Sequence, residues 1–131
     1  DFKILGDHFE FLGLVDHFSV LKLQKESDVL VHLGNKDSSV QIPGKFYEYL
    51  GALKPILTIN DDSKDPTRKV VEELKCGVAC LDNPFEIKNS IKLLYRKWED
   101  NENICQINVE DLYEYSWEKK AQRIYENLIA E

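Results

Sequence analysis

The 131-residue chain contains no methionine and only 3 cysteines, 4 prolines and 6 glycines. Long apolar runs are missing as well. Stretches such as Pro55-Ile56-Leu57 fall far short of the ~20 residues needed to cross a bilayer, which excludes a spanning helix. The opening Asp1-Phe2-Lys3 is not the basic segment running into an apolar one that marks a secretory leader. Without an initiator methionine, the chain is expected to be a piece of a longer protein. Cys76, Cys80 and Cys105 are odd in number, and the closest pair lacks the two-residue gap of a zinc or redox motif. Reduced thiols in a cytoplasmic protein are therefore expected rather than a disulfide scaffold. His8, His17 and His32 share no metal-ligand spacing with the cysteines and read as isolated structural histidines. Basic residues are scarce too, 17 against 24 acidic ones for a net charge of −7. That balance argues against the positive face that tracks a phosphate backbone, so nucleic acid is not an expected partner.

What is present is a composition 43% hydrophobic and 11% aromatic, enough for a single domain over residues 1–131 that buries more than half of its unfolded surface. Short apolar runs alternate with longer amphipathic segments, the pattern of helices packed on a mostly parallel sheet. Phe2–Leu5 and Phe9–Leu12 read as strands, each closed by a glycine. Phe18, Val20, Leu21 and Leu23 fall roughly on one helical face. Asp28–Leu33 reads as a buried strand, followed by a polar loop to Gly44 that is long for its type. Phe46, Tyr49, Leu50 and Leu53 define a helix from Lys45, and Pro55–Ile59 the next strand. Asp65-Pro66 starts a helix on Val70, Val71 and Leu74 that stops at Cys76-Gly77. Gly77–Leu81 is a strand. Asn83-Pro84 starts another helix, with Glu86 in the capping-box position and Ile87, Ile91, Leu94 and Trp98 at helical spacing. Ser116 caps a last helix on Trp117, Ala121, Ile124 and Leu128. Residues 100–115 give no clear pattern.

The most informative stretch is Ser38 to Leu50. A loop of small and polar residues runs into a helix beginning near Pro43-Gly44, so backbone N–H groups and the positive end of a helix dipole face the loop, an arrangement suited to phosphate. Lys45 adds a full positive charge against a diphosphate. Glu48, one turn on, can accept hydrogen bonds from vicinal hydroxyls such as those of a ribose. The bland alternative is an exposed Lys45–Glu48 ion pair worth a few tenths of a kcal/mol.

The order of features resembles the carboxyl-terminal, nucleotide-sugar-binding half of retaining GT-B glycosyltransferases of the group-1 type. Phe11-Leu12-Gly13-Leu14-Val15 is similar to the strand and turn before that family's donor site, and Asp28-Val29-Leu30-Val31 to its central strand. Pro43-Gly44-Lys45-Phe46-Tyr47-Glu48-Tyr49-Leu50, followed by Lys54-Pro55-Ile56-Leu57, resembles its donor-binding helix and next strand, and Tyr115-Ser116-Trp117 its final helix entry. The resemblance implies a Rossmann-like α/β sheet with helices on both faces, lacking its first strand and helix. It also implies that Glu48 binds the donor ribose, that Lys45 makes the catalytic contribution of stabilising diphosphate charge, that Ser39, Val40, Gln41 and Ile42 lie against the diphosphate and sugar, and that Gly13, Leu14 and Val15 lie near the base. The sequence departs from the family at Val40, where many members place a first glutamate, and at Leu53, where glycine is usual.

The implied activity is transfer of a sugar, with retention, from a nucleoside-diphosphate sugar to an acceptor glycan or lipid-linked glycan, as in building a surface or exported polysaccharide. The nucleotide-diphospho-sugar is the substrate. No cofactor is implied, and the sequence carries no paired acidic metal motif. The acceptor-binding amino-terminal domain would be the partner. Localisation would be cytoplasmic, with any membrane association, at the inner face, made through that missing domain. The fragment alone is expected to bind nucleotide weakly and to be inactive. Two alternatives stay open: half of a nucleotide-sugar epimerase, and a non-catalytic Rossmann-like interaction domain.

Overall fold

Three apolar runs pair side by side in the computed structural model, which describes residues 6–34 and 41–129. Strands β1 (Leu30–Leu33), β2 (Ile56–Asn60) and β3 (Gly77–Leu81) form a parallel sheet in the order β1-β2-β3, with Leu30 opposite Ile56 and Ile56 opposite Gly77. Helix α1 (His17–Glu26) precedes β1, α2 (Gly44–Ala52) joins β1 to β2, and α3 (Pro66–Glu73) joins β2 to β3. After β3 come α4 (Pro84–Glu99), α5 (Val109–Tyr113) and α6 (Trp117–Ile129). Parallel neighbours need such crossovers, and crossovers of one hand put α2 and α3 on the same face. Phe46 and Leu50 of α2 and Val70 and Val71 of α3 accordingly share one core with Ile56 and Cys76. Leu57 and Cys80 point the other way and meet Leu94 of α4. The fold is thus α/β and Rossmann-like, with helices on both faces. Each buried side chain of the size of Phe46 or Ile56 contributes about 1.5–3 kcal/mol.

The start of β3 shows how close neighbouring strands come. A Cβ on Gly77 would lie 1.8 Å from the carbonyl oxygen of Ile56, so only glycine fits opposite that backbone. Helix α2 ends at Leu53, which takes the left-handed conformation with φ 57°. This is the C-terminal position where glycine is favoured, and Leu53 occupies it at a cost of about 1–2 kcal/mol.

Several expectations are corrected. No strand forms at Phe9–Leu12, where the described backbone is irregular and Phe11 and Leu12 are exposed. The described sheet offers that segment no neighbour, and a strand without a partner leaves its backbone groups to water. The Phe2–Leu5 strand lies outside the described residues. Asn83 caps α4 through Oδ1, which accepts from Glu86 N–H at 2.9 Å, but the capping box does not close. The Glu86 carboxylate instead accepts Leu81 N–H at 2.8 Å, tying the helix start to the end of β3. In α1 the apolar residues stay partly or largely exposed while Gln24 is buried. Residues 109–113, which gave no pattern, form α5, with Asp111 accepting Asn108 N–H at 3.3 Å.

Helix α4 covers β2 and β3 but not β1. Val31 is exposed beside Ile91, Tyr95 and Trp98, leaving an open apolar groove of about 470 Å³, and Leu33 is exposed as well. The three cysteines are free thiols, and among the described residues no helix is long and apolar enough to cross a membrane.

Candidate functional site

Parallel α/β sheets present ligands at the carboxyl ends of their strands, where helix N-termini converge. Here β1 is followed by Gly34, whose N–H donates to Ile59 O at 2.8 Å. A Cβ at Gly34 would lie 2.7 Å from Asn60 Nδ2 and 3.0 Å from Asp65 Oδ2, so glycine is what allows the ends of β1 and β2 to close together.

Beneath this edge sits a buried polar network. Thr58 Oγ1 donates to Asn60 Oδ1 at 3.2 Å and lies 3.2 Å from Thr67 Oγ1, and Asn60 Nδ2 donates to Thr67 Oγ1 at 3.1 Å. Thr67 donates both N–H and O–H to Asp65 Oδ1, at 2.8 and 2.6 Å, so the N-cap of α3 is part of the same network. Thr58, Asn60 and Thr67 are at most 1% exposed. Hydrogen bonding is what makes such burial tolerable. His32 lies on the same sheet face, edge-on to the Phe46 ring at 5.0 Å between centroids, and its Nε2 is buried without a partner. Burial pulls its pKa below the ordinary 6.5, with the Asp65 carboxylate opposing in part.

Helix α2 starts at Gly44 after Pro43, which supplies no side-chain cap, and the first turn carries no acidic residue. Phe46 N–H returns to Pro43 O at 2.9 Å. Lys45 is exposed and Glu48 half-buried, and among the described residues no ion pair joins them. Glu48 Oε2 instead accepts from Gln24 Nε2 of α1 at 3.5 Å. The two line a groove of about 610 Å³ between α1 and α2, together with Phe18, Leu21 and Lys22. Gln24 Oε1 is buried with no partner, a state that costs about 1–3 kcal/mol.

Of the other expected site residues, Gln41 is exposed, while Ile42 is half-buried and packs on the α2–α3 core. Gly13 has φ 68° with open space around it, Leu14 is fully exposed, and Val15 is half-buried just before Asp16, the N-cap of α1. Ser39 and Val40 lie outside the described residues. Reasoning from sequence missed Gln24, Thr58, Asn60 and Thr67. The signal for the last three was there: Thr58 and Asn60 stand at alternate positions of a buried strand, and Thr67 stands two residues after the cap Asp65 at the start of the next helix. Among the described residues no group of histidine, cysteine and carboxylate side chains is arranged to hold a metal ion.

Fold and edge define a class, a Rossmann-like α/β domain with a helix start that has no side-chain cap at the carboxyl end of its sheet. No protein-family model, curated protein or solved structure matches the chain.

Proposed function

We propose that the chain is the donor-binding domain of a glycosyltransferase that uses a nucleoside-diphosphate sugar. The observation that carries this is the β1–α2–β2 unit. It sets a helix start without a side-chain cap at the carboxyl edge of the sheet, with Lys45 exposed in its first turn and Glu48 half-buried one turn on. Free N–H groups at such an end favour an anion. Charge building on the leaving diphosphate would be met there by these groups and by Lys45, while Glu48 accepts from the ribose hydroxyls. Acceptor binding and the rest of the chemistry belong to a partner domain in this proposal.

A non-catalytic interaction domain is favoured by one observation, the open apolar groove between α4 and β1. Titration with UDP, GDP and ADP separates the two. Binding of at least one nucleotide is expected, weakened about ten-fold or more by Glu48→Ala and by Lys45→Ala, which corresponds to about 1.4 kcal/mol each. Absence of binding by a folded sample would favour the interaction domain. Binding indifferent to both substitutions would move the site away from α2.

A further inference from the structure

Gln24 is the buried residue of α1, 5% exposed, although the helix offers Leu21, Leu23 and Phe18 for burial. A primary amide in an interhelical contact is unfavourable unless its polar atoms are all met. They are not met here. Nε2 reaches Glu48 Oε2 at 3.5 Å, the outer limit of a hydrogen bond, and Oε1 has no partner. Helix packing gives little reason for this choice, since leucine or methionine would fill similar space with no buried amide to satisfy, at the loss of one long hydrogen bond to Glu48. An under-satisfied polar group beside an open cleft is accounted for by a ligand that brings the missing donor.

The donor set narrows that ligand. Gln24 and Glu48 line one groove, and among the described residues nothing donates to Glu48 Oε1. The groove therefore presents two neighbouring acceptors, Gln24 Oε1, buried without a donor, and Glu48 Oε1, which meets solvent rather than a donor among the described residues. A phosphate has no proton to give and would be repelled by Glu48. A cationic ligand would meet Lys22 and Lys25, which line the same groove, and the other carboxylate there, Glu26, is already paired with Lys22 at 3.8 Å. A neutral pair of adjacent hydroxyls supplies two O–H donors without either penalty.

We infer that Gln24 and Glu48 together form a two-acceptor receptor for a vicinal diol, the ribose of the bound nucleotide, and that Gln24 determines specificity for ribose over deoxyribose. This rests on the proposed donor-binding function and adds to it the residue from α1 that completes the sugar contact. Glu48 accepts one hydroxyl and Gln24 Oε1 the other, while Gln24 Nε2 steadies the carboxylate between them.

The test is calorimetric titration of the whole chain with whichever of UDP, GDP or ADP binds, and with its 2′-deoxy, 3′-deoxy and 2′,3′-dideoxy counterparts. The ribonucleotide is expected to bind about ten-fold tighter than at least one monodeoxy form. Gln24→Met, with Gln24→Leu as a second variant, should bring that ratio close to one and leave dideoxynucleotide affinity unchanged. Thermal stability should hold or rise, because an orphaned acceptor is removed. A ribose preference that survives both Gln24 variants but is lost in Glu48→Ala overturns the role of Gln24 and leaves the ribose contact of Glu48 standing. A wild-type chain that binds nucleotide without preferring ribose overturns the diol receptor and that contact, while the phosphate site stands or falls with Lys45→Ala. A folded chain that binds no nucleotide overturns the receptor and the donor-binding function together.

Discussion

His32 shows how one side chain can tie stability to pH. Its folded pKa lies below the ordinary 6.5 because burial disfavours the imidazolium. Between those two values the unfolded chain holds a proton that the folded chain does not, so stability falls as pH drops through 6.5 toward the folded pKa. Asp16 is held below the ordinary carboxylate range by its hydrogen bonds from Ser19, and Glu86 by that from Leu81 N–H. Their contributions are present above that range and are lost only as pH falls through their lower folded values. A denaturation midpoint measured from pH 8 to 5 should therefore decline on the acid side, and His32→Leu should flatten the decline. An unchanged slope in His32→Leu would place the responsible proton elsewhere. From sequence His32 was legible only as a structural histidine. Its burial depends on Phe46 and Tyr49 of α2 closing over β1, a contact between segments that no local pattern reveals.

At the level of elements, local chemistry specified most of the helices. Asp65-Pro66, Asn83-Pro84 and Ser116 stand where the structure places N-caps, with Thr67 N–H, Glu86 N–H and Lys119 N–H donating to them. Asn83→Ala should cost about 1 kcal/mol, the usual value of a lost cap, read as a lower urea midpoint with an unchanged slope. Asp65→Ala should cost more, because the same carboxylate also accepts the Thr67 hydroxyl inside the buried network. The failures at this level have one cause. Phe9–Leu12 has the composition of a strand, but a strand exists only where another lies beside it. The apolar residues of α1 fall roughly on one helical face, yet the residue α1 buries is Gln24, because its position against α2 and not its hydrophobicity decides which residue points inward. In α4, likewise, Leu94 is buried while Ile91 and Trp98, on the same periodic stripe, remain half exposed over uncovered β1.

For the molecule as a whole, the sheet divides the core into two layers, and each holds a cysteine. Cys76 belongs to the α2–α3 layer and Cys80 to the α4 layer, whereas Cys105 is only half-buried. Burial pushes the Cys76 thiol up to about 12 and raises that of Cys80 as well, so neither presents thiolate near neutral pH. A thiol reagent at pH 8 should modify Cys105 first, and the other two only at the rate at which the protein opens. Rapid reaction of all three would mean that the layers are not closed in solution.

The order of residues alone specifies an α/β fold of parallel βα units, where most of its helices begin and end, and Lys45 and Glu48 one turn apart near a helix start. Those properties follow from spacing, caps and glycine, which act over a few residues. Packing in three dimensions is what brings Gln24 to Glu48, joins Thr58, Asn60, Asp65 and Thr67 in one buried network under the sheet edge, and leaves Val31 and Leu33 of β1 exposed. Each of these joins residues from separate elements, and such pairings are set by how strands align and helices cross, not by the order of side chains along any one of them.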